Sequence, residues 1–215
     1  MIVTICSEKG GTGKTTIATN IAVIRALNGC DVLLLDCDPQ ASSTEFNRAR
    51  GEEGRMPEIT CTAGYGAGIK SELRKLTSKF DDIIVDVGGK DTDTLRSCLL
   101  VSDIVIVPFL LSSIDIDALR KFDKLIGELR PMNEDLKCYA FANKVDTNPR
   151  ILEFAELKTP SLQNIEVLEV FTTYRVAYRR AVGEGASVVE IVTKKEDKIK
   201  KEILELYKEI FKNDA

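Results

Sequence analysis

Glu8-Lys9-Gly10-Gly11-Thr12-Gly13-Lys14-Thr15-Thr16 is the stretch on which the reading of this chain turns. An apolar run, Ile2-Val3-Thr4-Ile5-Cys6, precedes it, and Ile17, Ile21, Ile24 and Leu27 follow at helical spacing. Strand, glycine loop and helix, in that order, make a phosphate cradle. Gly10, Gly11 and Gly13 lack a Cβ, so backbone N–H groups from Gly10 through Thr12 to Thr16 can close around an anion. The helix N-terminus adds positive potential. Lys14 is predicted to reach the β- and γ-phosphates of ATP. The Thr15 hydroxyl is expected to ligate Mg²⁺, an ion that keeps most of its shell as water and phosphate oxygen, and Thr16 to bond the α-phosphate.

The ordinary form of this loop begins with Gly five positions before its final Gly; here that position is Glu8, and a second lysine, Lys9, stands beside it. Lys-Gly-Gly-Thr-Gly-Lys-Thr-Thr resembles the deviant Walker A box of the ParA/MinD family of dimeric positioning ATPases. The resemblance implies that Lys9 reaches across a sandwich homodimer to the nucleotide of the other subunit, as an arginine finger does elsewhere. A cation ~4 Å from a phosphate charge contributes roughly 4 kcal/mol at an effective dielectric near 20, before desolvation. The alternative is a solvated loop lysine beside Glu8.

The 215 residues suffice for one α/β domain, and a single ATPase domain over 1–215 is expected. Apolar residues are 44% and charged residues 30%, as in a globular protein of ordinary composition. No run is long enough to span a bilayer, and Met1-Ile2-Val3 reads as strand and not as a leader, so a cytoplasmic, membrane-free protein is predicted. Six cysteines without Cys-x-x-Cys spacing read as reduced core residues. With no histidine, histidine bases and histidine metal sites are excluded. The net charge of −4 means that any contact with nucleic acid must come from a local patch.

Two further apolar strands end in acids. Val32-Leu33-Leu34-Leu35 runs into Asp36-Cys37-Asp38-Pro39, and Ile83-Ile84-Val85 into Asp86-Val87-Gly88-Gly89. Continuous apolar runs suit parallel strands buried on both faces, and ligands collect beyond their carboxyl ends. In the family resembled, the first acid of the Asp36/Asp38 pair lies near the metal's waters and Asp38 orients the attacking water. A turn at Asp38-Pro39 and a helix cap at Asp36 are the structural alternative. Asp86 resembles a Walker B acid that holds an Mg²⁺-bound water, and Gly88-Gly89 a switch near the γ-phosphate.

Helices are predicted over 41–50, 67–79, 94–101, 112–130, 149–158 and 193–212. Further strands are predicted at 59–61, 104–108, 136–142 and 165–170. Asp91 or Asp93 is expected to cap the helix from Thr94, and Asp115 either to cap its own helix or to lie on a dimer face. Pro108 is placed at a strand end. Asn143, at the end of its strand, resembles an adenine contact in the family, with a plain turn as the other option. Thr172-Thr173-Tyr174-Arg175-Val176-Ala177-Tyr178-Arg179-Arg180 contains no acid and also resembles the ParA family. The resemblance implies a non-specific DNA surface using Arg175, Arg179 and Arg180. The following lysines, Lys194, Lys195, Lys198, Lys200 and Lys201, are read as a solvated face.

The alternating elements predict a three-layer P-loop NTPase fold, its mostly parallel twisted sheet of about seven or eight strands flanked by helices on both faces. The resemblance is to the short, ParF-like form of ParA. It implies a partition ATPase using ATP and Mg²⁺, with Lys9, Lys14 and Asp38 in catalytic roles, Thr15, Asp36 and Asp86 at the metal, non-specific DNA as one partner and a ParB-like centromere-binding protein as another. A ParA-like ATPase that positions a protein cargo, a MinD-like division regulator, and a biosynthetic enzyme or reductase of the same fold are the alternatives.

Overall fold

The computed structural model describes residues 1–89, 92–146, 161–191 and 197–212. Along the chain come β1 (Ile2–Ile5), α1 (Lys14–Leu27), β2 (Val32–Cys37), α2 (Ser42–Glu52), β3 (Thr60–Ala63), α3 (Ile69–Leu76) and β4 (Asp82–Val87). Then follow α4 (Thr92–Leu99), β5 (Ile104–Phe109), α5 (Ser113–Leu129), β6 (Lys137–Val145), β7 (Glu166–Thr173), α6 (Val176–Gly183) and α7 (Asp197–Ile210). The strands form one seven-stranded sheet in the order β3-β2-β4-β1-β5-β6-β7, and every pairing is parallel.

Residues of one strand point alternately to opposite faces, so each apolar run supplies two cores. Val3, Ile5, Leu34 and Ile84 meet Ile17 and Ile21 of α1 and Ile203 and Leu206 of α7 on one face. Ile2, Cys6, Leu33, Leu35 and Val85 meet Leu95 and Leu99 of α4 and Phe122 and Ile126 of α5 on the other. β1, β2, β4 and β5 are buried end to end, which is why they carry no polar alternation. All six cysteines are free, and Cys6, Cys37, Cys98 and Cys138 are buried. Among the described residues no helix is long and apolar enough to cross a membrane.

The sheet places the three acidic or glycine-rich strand ends side by side. β4 lies between β1 and β2, with Ile5 and Asp36 both in register with Asp86. Pro108 lies within the β5–β6 pairing, opposite Phe141, and not at the strand's end. The pairing of β1 with β5 stops at Ile106, so no strand on that side asks Pro108 for the missing N–H. The predicted strand at 59–61 is shifted to Thr60–Ala63, and the strands predicted at 136–142 and 165–170 extend to Val145 and Thr173. The arginine stretch, to which no element was assigned, begins in the end of β7, has Arg175 at the N-cap of α6 and carries Arg179 and Arg180 on that helix. The predicted helix 149–158, the cap at Asp91, and Lys194 and Lys195 lie outside the described residues.

Candidate functional site

A cavity of about 780 Å³ opens at the carboxyl ends of β1, β2 and β4 and is lined by Glu8, Gly10, Gly11, Gly13, Lys14, Thr15, Thr16, Asp38, Pro39, Gln40, Gly89 and Lys144. Its floor is the loop between β1 and α1. Gly11 and Gly13 take φ of 78° and 96°, left-handed values that place successive N–H groups on the concave side. Gly13 has a second reason to be glycine, because a Cβ there would lie 2.3 Å from Asn143 Nδ2. Three loop carbonyls are occupied by side-chain donors. Lys14 Nζ donates to Lys9 O at 3.2 Å, Asn143 Nδ2 to Thr12 O at 2.6 Å and Lys144 Nζ to Gly11 O at 2.6 Å.

Beneath the loop lies Asp86, wholly buried at the end of β4. Its Oδ2 accepts from Thr15 Oγ1 at 2.7 Å and from Ser43 Oγ at 2.8 Å, while Oδ1 is buried with no hydrogen-bond partner. Burial outweighs the two hydroxyl donors and pushes the carboxyl up to about 6. An acid so placed, with one oxygen unspent beneath a phosphate cradle, suits a cation's water. Among the described residues no cluster of three or more carboxylate, cysteine or histidine groups could hold a metal by itself. That donor set fits Mg²⁺, which takes few protein ligands and shares phosphate oxygens and water. Ser43 was not expected at the site; its hydroxyl arrives through the packing of α2, which local sequence does not announce.

Asp36 and Asp38 part company. Asp36 is fully buried, and its carboxylate accepts from Asp38 N at 3.1 Å, Thr44 N at 2.8 Å and Thr44 Oγ1 at 2.9 Å. It ties the strand's end to the first turn of α2, whose own cap position is Ala41. Asp38 lines the cavity, its carboxylate lying over the Cα of Gly88, where a Cβ would come 3.0 Å from it. Gly89 is confined more tightly, since a Cβ would meet Ser7 O at 2.7 Å and Glu8 O at 2.8 Å. Gly89 therefore lets the end of β4 close on the phosphate loop, and Gly88 lets it close on Asp38.

Lys9 does not line the cavity. It faces the first turn of α5, where Nζ is 3.3 Å from Asp115 Oδ2 with 35% of the lysine side chain exposed. Ser112 is the helix cap, accepting from Asp115 N at 3.2 Å, and its hydroxyl also bonds the Asp115 carboxylate. Asp115 is thus neither the cap nor a bare surface acid; it holds the front lysine. Asn143 is buried, its Nδ2 on Thr12 O and its Oδ1 accepting from Lys144 N at 2.9 Å and from Thr172 Oγ1. Its amide serves the loop and the strand end, so the residues that bring it to the site are legible as protein contacts.

Arg175, Arg179 and Arg180 stand on or beside α6, outside the cavity lining. Arg175 Nε donates to Thr173 Oγ1 at 3.1 Å, and Thr173 in turn bonds the buried Glu202 of α7. The Arg179 guanidinium stacks 5.6 Å over the Tyr174 ring, and Arg180 lies 4.0 Å from Glu184. Tyr174 and Val176 are exposed beside them.

Residues 3–188 match the family model of the CobQ/CobB/MinD/ParA nucleotide binding domain. The chain is 28% identical over 190 residues to the maintenance of carboxysome distribution protein A of Halothiobacillus neapolitanus, covering 87% of this chain and 86% of that protein. It is 26% identical over 200 residues to protein ParA of Rhizobium radiobacter, covering 90% and 87%. A plasmid partition protein from Borrelia burgdorferi bound to AMPPNP superposes with a TM-score of 0.72 at 22% identity over 96% of this chain and 97% of that one. The septum site-determining protein MinD of Pyrococcus horikoshii, complexed with Mg-ADP, gives 0.73 at 17% identity over 97% and 95%.

Proposed function

We propose, because the chain belongs to the CobQ/CobB/MinD/ParA nucleotide-binding family, that it is a Mg²⁺-dependent ATPase whose ATP-bound homodimer holds DNA non-specifically and segregates it. The observation that carries the reading is the placement of two lysines of one loop. Lys14 lines the cavity, while Lys9 stands outside it against Asp115. A second subunit facing the cavity would add its Lys9 as a further cation beside the Lys14 already there.

ATP would occupy the cradle, its phosphates taken by N–H groups of Gly10 through Thr16. Lys14 would leave the Lys9 carbonyl for the β- and γ-phosphates. Mg²⁺ would rest on Thr15, with Asp86 beneath, and when bound supplies charge that stabilises the phosphate oxygens as the bond breaks. Asp36 supports that region by fixing α2 and by its charge beside Asp86. Asp38, on the cavity wall over Gly88, would accept a hydrogen bond from the attacking water and set its direction. Lys9 of the partner subunit would complete the charge around the γ-phosphate. Glycine at 88 and 89 gives the chain room to follow the phosphate's presence or loss.

In the dimer, Arg175, Arg179 and Arg180 of both subunits would form a two-fold basic surface, weak singly and stronger by avidity. A ParB-like partner would stimulate hydrolysis and release the DNA, and the protein would work in the cytoplasm on the nucleoid. Gel shifts with an arbitrary duplex test the surface. Arg175→Ala and Arg179→Ala should each weaken ATP-dependent binding, with a steep loss in salt; shifts equal to wild type would remove these arginines from the interface. The likeness to a carboxysome distribution protein supports a second reading, the same cycle applied to a protein cargo. An adaptor that raises the hydrolysis rate in place of a centromere-binding protein would favour it.

A further inference from the structure

An anion cradle works only if its carbonyl oxygens are kept from the anion, and in this loop three side-chain donors occupy carbonyl oxygens. Two of them, Lys14 and Asn143, belong to the reading above. The third is Lys144, whose Nζ holds Gly11 O at 2.6 Å.

The local backbone is built to send this side chain to the loop. Lys144 has φ of 56°, a left-handed conformation that an L side chain rarely adopts. Its own N–H is bonded to Asn143 Oδ1 at 2.9 Å, and β6 slips register against β7 between Ala142 and Val145. The turn redirects the residue out of the strand's alternation. Its stem then passes Gly13, where a Cβ would lie in ordinary contact, 3.5 Å from Lys144 Cε. The side chain lines the 780 Å³ cavity and also a neighbouring cavity of about 420 Å³ that it shares with Gly11, Ser112 and Tyr174. With Gly11, which also lines both, it stands between the two. Burial, Arg179 and Lys14 together hold its ammonium below the usual lysine range. A polyanion arriving in the cavity would relieve that repulsion, so the lysine gains by the ligand's arrival.

We infer that Lys144 is a nucleotide-positioning residue, which holds the Gly11 carbonyl out of the phosphate cradle and walls one side of the cavity with its stem. This rests on the reading of the cavity as an ATP site. The test compares wild type, Lys144→Met and Lys144→Arg for affinity to a fluorescent ADP, for KM and kcat of ATP hydrolysis, and for melting without nucleotide. Methionine keeps a four-atom stem and loses the ammonium donor, at the same backbone cost. Loss of one charge-assisted bond predicts an ADP Kd and ATP KM about 10-fold higher for Lys144→Met. Its kcat should stay within about twofold and its nucleotide-free melting should fall only slightly, because the bond to Gly11 O is already made without nucleotide but is solvent-exposed, while Lys144→Arg should recover most of the affinity. Wild-type affinity in Lys144→Met would overturn the inference. So would a fall in kcat at constant KM, which would place Lys144 in the chemistry, or a matching loss of nucleotide-free stability, which would make it a structural fastener only. A wild-type chain that binds no adenine nucleotide would instead remove the site reading on which the inference stands.

Discussion

At the scale of single residues, the site is held by charges whose partners are inside one chain until a ligand or a second chain competes for them. Lys9 is the clearest case. Its partner Asp115 is buried and fixed by Ser112, while the lysine itself is partly exposed. Such a pair contributes about 1 kcal/mol after solvent screening. Asp115→Asn should therefore free Lys9 and lower the ATP concentration for half-maximal dimer formation about fivefold, read by light scattering across an ATP titration. An unchanged midpoint would mean that Asp115 does not restrain the lysine. Asp86 shows the opposite economy. Its carboxyl is raised to about 6 from 3.8, so the folded state loses stability as pH climbs through that window and stays penalised above it. The penalty is on the order of 3 kcal/mol at neutral pH. Without nucleotide, Asp86→Asn should melt higher than wild type at pH 7, with the gap closing towards pH 4, and should lose Mg²⁺-dependent ATP hydrolysis. A variant that melts lower at pH 7 would show that the hydrogen bonds from Thr15 and Ser43 outweigh burial.

Among the elements, α2 joins distant parts of the molecule. Ser43 and Thr44 in its first turn reach Asp86 and Asp36. Arg50 near its other end is 1% exposed, bonds Pro57 O and Gly185 O at 3.0 Å, and pairs with both carboxylate oxygens of Glu190. Removing one member of such a buried pair costs about 3–5 kcal/mol, because the other is left uncompensated. Arg50→Ala should lower the urea midpoint accordingly, and the double change Arg50→Met with Glu190→Gln should recover part of the loss. A single variant as stable as wild type would show that the pair adds nothing. None of this was legible in the sequence, where Arg50 reads as one charge in a polar run and its partners Gly185 and Glu190 lie more than a hundred positions downstream. The acid-tipped strands were legible, because a parallel strand buried on both faces writes its whole environment into consecutive residues. Lys14, Thr15 and Asp86 were legible for the same reason, being fixed by a short loop and two such strands. Asn143 and Lys144 were harder, since their roles depend on a left-handed turn and a register slip that no periodicity signals. Ser43 needed the packing of α2 against β2 and β3.

On the scale of the whole molecule, the sheet brings the three strand ends to one rim, with the cavity above and the arginines of α6 to one side. α7 closes the face opposite α4 and α5, burying Ile199, Ile203, Leu206 and Ile210, and its Glu202 fixes Thr173 beside Arg175. This explains why an apolar stripe with mixed charges outside belongs against a sheet. The two-lysine division of the loop, one inside the cavity and one outside it, is the feature that asks for a second copy of the chain. Molar mass by light scattering, with saturating Mg²⁺ and a non-hydrolysable ATP analogue, tests it most directly in wild type and Lys9→Ala. The account predicts twice the mass of one chain for wild type and the mass of one chain for Lys9→Ala, with both binding the analogue. A wild type that stays single, or a Lys9→Ala that doubles equally well, would contradict it.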